Sequence, residues 1–262
     1  MRFEPLLFTA AREGRLAEDA KTEDVRRLVR SFGVRLYLES ERINVGNIVR
    51  AIRKYGRPAR VLDLGCGDGK TTVAICGAVG ATSVAGIERH DASRASARER
   101  GIGAISADLD LPLPFADDAF DVVFSNQVIE HLSDTDRFVS EIFRVLAADG
   151  LAVVSTENMA SWHNVAALML GFAPFSANNY SNKVYPLGNP LSIHEGDVLA
   201  LHDGMVHRRI FTSTSLRALF AGHGFVVRDV LGAGYHPLPP AVGRIDARHA
   251  HFITIAATKP AA

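Results

Sequence analysis

The sequence predicts an α/β protein built on a doubly wound, mostly parallel sheet. Three observations carry that reading. Short apolar runs alternate with amphipathic helical segments from about residue 60 to residue 157, the pattern of strand–helix units wound on both faces of a parallel sheet. The first run, Val61-Leu62-Asp63-Leu64, passes straight into Gly65-Cys66-Gly67-Asp68-Gly69, a buried strand turning sharply into a helix. Later runs end on polar residues that can bind a ligand, at Glu88, Asp108 and Asn126, and ligands of open parallel sheets sit beyond the carboxyl ends of the strands.

Taken in order, residues 1–43 read as a polar helical segment, with Val25, Leu28, Val29 and Phe32 at helical spacing. A second amphipathic helix covers 44–55, with Ile43, Val45, Ile48, Val49 and Ile52 on its apolar side and Gly56-Arg57-Pro58 as its stop. Strands are expected over 60–64, 83–88, 103–107, 120–125 and 151–155. Helices are expected over about 71–77, 91–100 and 134–146, the last carrying Phe138, Ile142, Val145 and Leu146, and Asp149-Gly150 turns into the fifth strand. A further helix spans 212–223, capped by Ser213 or Thr214 and ended by Gly224. Two last strands cover 225–231 and 251–257, with Pro237, Pro239 and Pro240 forbidding regular structure between them.

The stretch 158–211 breaks the pattern. It holds Pro174, Pro186 and Pro190 and four histidines, His163, His194, His202 and His207. Trp162, Phe172, Phe175, Tyr180 and Tyr185 argue against disorder. A long irregular stretch inside a compact domain is usually functional, and this one reads as a cap insertion over the active site. The organisation is therefore 1–43 helical segment, 44–157 core, 158–211 cap, and 212–262 the last helix and two strands.

Composition narrows the classes of partner. The chain has 262 residues, 47% hydrophobic and 22% charged, with 29 acidic and 29 basic side chains and zero formal net charge. That is a globular mixture with no global attraction to nucleic acid or anionic membrane. Arg26, Arg27, Arg30 and Arg35 read as a solvated helix face. Cys66 and Cys76 form neither a C-x-x-C pair nor a zinc spacing, so neither a disulfide framework nor a metal is expected. The first residues meet an acidic side chain at Glu4, too early for a secretory signal. No apolar run has the length of a membrane span, and a reducing cytoplasm is expected.

The glycine loop separates three ligand classes. A dinucleotide fingerprint needs G-x-G-x-x-G, but Lys70 stands at its third glycine position. A phosphate loop needs G-x-x-x-x-G-K-[ST], but Leu64 stands at its first. Asp63 adds negative charge where a pyrophosphate would lie, and suits a ligand bearing an ammonium group. What remains is D-x-G-x-G-x-G from Asp63 to Gly69. It resembles motif I of the class I S-adenosylmethionine-dependent methyltransferases. Phe120-Asp121-Val122-Val123-Phe124 followed by Glu130-His131 is similar to their fourth-strand motif. Arg144-Val145-Leu146 with Asp149-Gly150-Leu151 resembles the turn before their fifth strand, with Ala148-Asp149-Gly150 where Pro-Gly-Gly is usual.

That resemblance covers about residues 45 to 157 and implies a seven-stranded Rossmann-like sheet with an antiparallel last strand, and S-adenosyl-L-methionine as cofactor with S-adenosyl-L-homocysteine as product. It implies cofactor contacts from Asp63, Gly65, Cys66, Gly67, Gly69, Glu88, Arg89, Asp108, Leu109, Asn126, Gln127 and His131. Glu88 accepts from the ribose hydroxyls. Asp108 accepts from the adenine amino group, with Asp110 as a close competitor, and Leu109 packs on the ring. The implied activity is methyl transfer, directed to oxygen on a small molecule or a glycan or natural-product intermediate. A hydroxyl acceptor needs a base near neutral pH, and the candidates are His194, His207, His131 and His163. The alternative is a catalytically silent cofactor-binding protein with a regulatory or assembly role. Ser125-Asn126-Gln127-Val128 stands where base-amino methyltransferases carry an Asn/Asp-Pro-Pro-Tyr-type motif, which counts against a nucleic-acid acceptor.

Overall fold

The computed structural model describes residues 20–177 and 206–261, with the side chains of 20–34 left aside. Helix α1 (Ala20–Tyr55) leads into β1 (Arg60–Leu64), α2 (Lys70–Val79), β2 (Ser83–Ile87), α3 (Asp91–Glu99) and β3 (Gly103–Ile105). The chain continues through β4 (Phe120–Asn126), a 3-10 turn (Ile129–His131), α4 (Thr135–Val145) and β5 (Leu146–Glu157). Next come α5 (Trp162–Met169), α6 (Ser213–Gly222), β6 (Val226–Ala233), a 3-10 turn (Pro240–Arg244) and β7 (Phe252–Thr258). The sheet has seven strands in the order β3-β2-β1-β4-β5-β7-β6. All pairs are parallel except those of β7, which runs antiparallel to both β5 and β6. The order reverses at β1, which lies between β2 and β4, so the crevice expected to bind ligand opens at the carboxyl ends of β1 and β4.

Both faces of the central strands are buried, which is why their sequences are continuously apolar. Val61, Val122, Phe124, Leu151 and Val153 pack under Ile48 and Ile52 of α1 and Ile75 of α2. Their neighbours Leu62, Val123, Val154, Ile253 and Ile255 pack under Phe138 and Ile142 of α4 and Leu216 and Phe220 of α6. Each such side chain, fully withdrawn from water, contributes roughly 1.5–3 kcal/mol. Among the described residues no helix is long and apolar enough to cross a membrane.

Several expectations change in detail. The boundary placed at 43/44 falls inside α1, which runs unbroken through it, because nothing between Phe32 and Asn44 breaks a helix except Gly33. The turn expected at Asp149-Gly150 is a bulge within β5. Phe120 pairs with Leu146 and Val122 with Leu151, so four residues are looped out, with Asp149 at φ 60°. The cap of α6 is Thr212 rather than Ser213 or Thr214. Its hydroxyl accepts from the Ser215 amide, and the Ser215 hydroxyl accepts from the Thr212 amide at 2.8 Å, an arrangement that leaves Phe211 buried. The prolines before β7 do permit one short regular turn, Pro240–Arg244, with proline at its start. The stretch 158–211 is not wholly irregular, since α5 lies in it. Tyr180, Tyr185, His194 and His202 lie outside the described residues.

One buried amide ties α1 to the sheet. Asn44 is 2% exposed. Its Oδ1 accepts from Ser155 Oγ of β5 at 2.8 Å and from Thr254 Oγ1 of β7 at 2.8 Å, while its Nδ2 donates to Asn126 Oδ1 of β4 at 2.9 Å. Three strand ends are thereby held by one side chain. Asn44→Ala takes a partner from each of Ser155, Thr254 and Asn126, and leaves the buried Thr254 hydroxyl without its acceptor. The expected loss is about 2–4 kcal/mol in urea unfolding, and a loss below about 0.5 kcal/mol would show that the network carries no stability.

Candidate active site

The turn after β1 is shaped by close approaches. Gly65 has φ 89° and Gly69 φ 82°, in the region that side-chain-bearing residues avoid. A Cβ on Gly65 would stand 2.5 Å from Val128 Cγ2, and one on Gly69 would stand 2.6 Å from Ile102 Cδ1. Gly67 differs: a Cβ there would meet no atom within 4 Å. Gly65 and Gly69 therefore let the loop pack against its neighbours, and Gly67 fronts open space where a ligand can lie against the main chain.

The carboxylate of Glu88 sits over this loop at the end of β2. Its Oε2 accepts from the Gly67 amide at 3.0 Å and its Oε1 from the His90 amide at 2.7 Å. Each oxygen keeps a further lone pair, so the group is fixed in place and can still accept from a ligand. Three other loop amides are also engaged. Gly65 and Cys66 donate to the Ile87 carbonyl and Gly69 donates to that of Cys66. At the start of α2 the Lys70 amide donates to Asp68 Oδ1 at 3.1 Å.

Asp63 lies beneath the loop, 4% exposed, and accepts from Thr72 Oγ1 at 2.6 Å. Burial raises its carboxyl to about 7, the Thr72 hydrogen bond opposes that, and nearby Glu88 adds to it. The contact clamps the first turn of α2 to β1. Cys66 turns into an apolar cluster with Ala97, Ile102 and Ala104, and burial pushes its thiol up to about 12. Arg89 is exposed.

The loops after β3 and β4 complete the floor. Asp110 is engaged structurally: its carboxylate accepts from the amides of Ser133 and Asp134, where α4 begins. Asp108, the other candidate, accepts only locally, from the Asp110 amide at 3.0 Å. Leu109 is half-buried against the main core. Asn126 points its Oδ1 at Asn44. Gln127 adopts φ 57° and donates through Nε2 to Ser155 Oγ at 3.0 Å.

Beyond β4 the structure gathers imidazoles. His131, on the 3-10 turn, and His207 have ring centroids 4.9 Å apart. His131 Nδ1 donates to the Val206 carbonyl at 3.2 Å, and His207 Nδ1 donates to that of Ser176 at 2.9 Å. Since a carbonyl only accepts, both rings carry their proton on Nδ1. Burial, helped by His207, pushes His131 down to about 4. His163 belongs to a second group with His236 and His251. Burial pushes it down to about 3, with His236 adding to the effect. Glu157, at the end of β5, lies between the groups, 3.7 Å from His207 and 4.0 Å from His251. His194 is outside the described residues, so the set His194, His207, His131 and His163 is only partly visible. Sequence reasoning missed Glu130, Glu157, His236 and His251. Glu130 stood in a motif already singled out, whereas the others have no local signal.

The two described ends of the 158–211 insertion meet here. Asn158 pairs with Phe211 in a parallel bridge. Asn164 donates to the Asn158 carbonyl and to Ser176 Oγ. The lone tryptophan, Trp162, stacks on His249 at 4.4 Å and donates from its indole to Tyr235 Oη at 2.7 Å.

Known proteins point the same way. Residues 62–154 match the methyltransferase domain family. A Mycolicibacterium smegmatis protein named a probable S-adenosylmethionine-dependent methyltransferase is 33% identical over 192 residues, covering 72% of this chain and 59% of that one. The trans-aconitate 2-methyltransferase of Methylobacterium nodulans is 29% identical over 182 residues, 69% of each chain. Among solved structures, a S-adenosylmethionine-dependent methyltransferase of Thermotoga maritima superposes with a TM-score of 0.54 at 19% identity, covering 89% of this chain and 96% of that one, a likeness of fold. The matched stretch spans only 35% to 59% of the first four sequence relatives.

Asp63 gives a pH signature. A carboxyl raised to about 7 keeps its proton in the folded chain over a range where the unfolded chain has lost it. It therefore lowers stability as pH climbs from about 4 to about 7, and then levels off. Buried histidines act oppositely below about 6.5, so a difference measurement is needed. Asp63→Asn, which still accepts from Thr72, should gain on the wild type by on the order of a few kcal/mol between pH 4.5 and 7.5 in ligand-free urea unfolding. A difference constant across that range would mean that Asp63 is ionised throughout.

Proposed function

Since the chain belongs to the class I S-adenosylmethionine-dependent methyltransferase family, we propose that it transfers the methyl group of S-adenosylmethionine to an oxygen of a small molecule, glycan or natural-product intermediate. The observation that carries the cofactor part is Glu88. Its two oxygens are pinned by the Gly67 and His90 amides above the open space in front of Gly67. A pre-set carboxylate beside an unobstructed main chain fits a ribose carrying two hydroxyls. With Asp110 engaged at the start of α4, Asp108 is the carboxylate left for the adenine amino group, and Leu109 for its ring.

When bound, the cofactor supplies an already activated methyl group on a sulfonium. The chain's own task is alignment and exclusion of water. Residues 158–211 are placed in this reading as the cover over the acceptor. Support comes from the meeting of their ends through Asn158–Phe211 and His207–Ser176. The oxygen preference rests on the imidazoles gathered beyond β4 and on Glu157, which can accept a hydroxyl proton or hydrogen-bond the acceptor. His131 at about 4 and His163 at about 3 are weak bases at neutral pH.

Calorimetry should show binding of S-adenosylmethionine and S-adenosylhomocysteine, and no tight binding of NAD or ATP. Glu88→Ala should weaken the cofactor at least tenfold, since two hydrogen bonds to a charged group are lost at ~1.5–3 kcal/mol each. Tight NAD binding without S-adenosylmethionine binding would sink the reading. Methyl-labelled cofactor incubated with pooled metabolite extracts then separates a catalyst from a silent binder, because only a catalyst labels a product.

A further inference from the structure

Glu130 is the most unusual side chain outside the cofactor cradle. It is 2% exposed. Its Oε2 accepts from Thr156 Oγ1 at 2.9 Å, but its Oε1 is buried with no hydrogen-bond partner. Burial raises this carboxyl to about 7, and His207 pulls against that. Whether the group is ionised or protonated, Oε1 is unpaired, and an unsatisfied buried polar atom costs roughly 1–3 kcal/mol. Natural proteins rarely leave such an atom without a purpose.

We propose that Glu130, His131 and His207 form a binding site for a divalent transition-metal cation such as zinc. One ligand atom from each residue lies within 4.8 Å of the other two. Atoms bound at about 2.0–2.2 Å to one cation stand roughly 3–3.5 Å apart, so modest side-chain adjustment closes the site. The outer contacts are those of metal ligands. Both imidazoles donate from Nδ1 to backbone carbonyls, of Val206 and Ser176, which fixes the tautomer and leaves Nε2 as the lone-pair nitrogen. Thr156 steadies the other carboxylate oxygen. Two imidazoles and one carboxylate suit a transition cation better than magnesium or calcium, and they leave coordination positions open for oxygen ligands.

The site was hidden from the sequence. Glu130 and His131 are adjacent, but an adjacent pair has no ligand spacing of its own, and His207 arrives from the far end of the insertion. The second imidazole group, His163, His236 and His251, offers a different arrangement. There His236 Nε2 and His251 Nδ1 already share a hydrogen bond at 2.9 Å.

The test uses the full chain, stripped with a chelator and dialysed against zinc chloride. The wild type should take up one zinc per chain. Cobalt(II) in its place should give visible absorption bands of a nitrogen- and oxygen-ligated ion. Glu130→Gln, His131→Ala and His207→Ala should each weaken zinc at least a hundredfold and abolish the cobalt bands, with circular dichroism reporting that each variant is folded. His223→Ala, which removes a surface imidazole paired with Asp136, should leave both readings unchanged. Zinc binding that is equal in wild type and all three variants, or no stoichiometric binding by the wild type, would overturn the site. Neither readout depends on methyl transfer, so the failure of one proposal does not carry the other with it.

Discussion

The structure turns on the close passage of the β1–α2 loop past its neighbours. Gly65 slides against Val128 and Gly69 against Ile102 with no room for a methyl group. That closeness brings the loop under Glu88 and lets one carboxylate collect amides from both Gly67 and His90. It also carries Thr72 down onto Asp63, so the helix that frames the cradle is anchored to the buried centre of the sheet. A larger residue at position 65 or 69 would displace the loop, the carboxylate and the helix together. The glycines therefore do two jobs: two permit packing and one, Gly67, leaves the ligand space clear.

Much of this was legible in the sequence, for identifiable reasons. Strands flanked by glycine or charged turns and buried on both faces announce themselves, and β1 runs over the expected residues 60–64. The helices of the core fall within a few residues of expectation because their apolar spacing is regular, as with Phe138, Ile142 and Val145 in α4. The cofactor carboxylate could be located because it follows a strand directly. Competition between Asp108 and Asp110 could not be resolved from sequence, since the amides that occupy Asp110 belong to residues 133 and 134.

What stayed hidden was long-range. Asn44 looked like an ordinary helix-start residue, and only the fold sets it against Ser155, Thr254 and Asn126. The unbroken α1 was divided in the sequence reading where the polar run Glu39-Ser40-Glu41-Arg42 interrupts its apolar spacing. The imidazole groups are the clearest case. His131, His207, His163, His236 and His251 are scattered over the chain, and each alone reads as structural. Their grouping comes from the insertion returning to the point where it left, and from the loop that joins β6 to β7 folding back beside it.

Trp162 carries a consequence of that return. It is the chain's single tryptophan, and it sits at the first residue of α5, stacked on His249 and hydrogen-bonded to Tyr235. Tyr235 and His249 in turn share Asp246. The indole thus joins the beginning of the insertion to the β6–β7 connection, two segments far apart in the chain. Because no other indole contributes to the emission, and because a stacked imidazole quenches an indole more strongly once protonated, the chain carries its own optical gauge. The intensity of its fluorescence reads whether those two segments are in contact, without any label being attached.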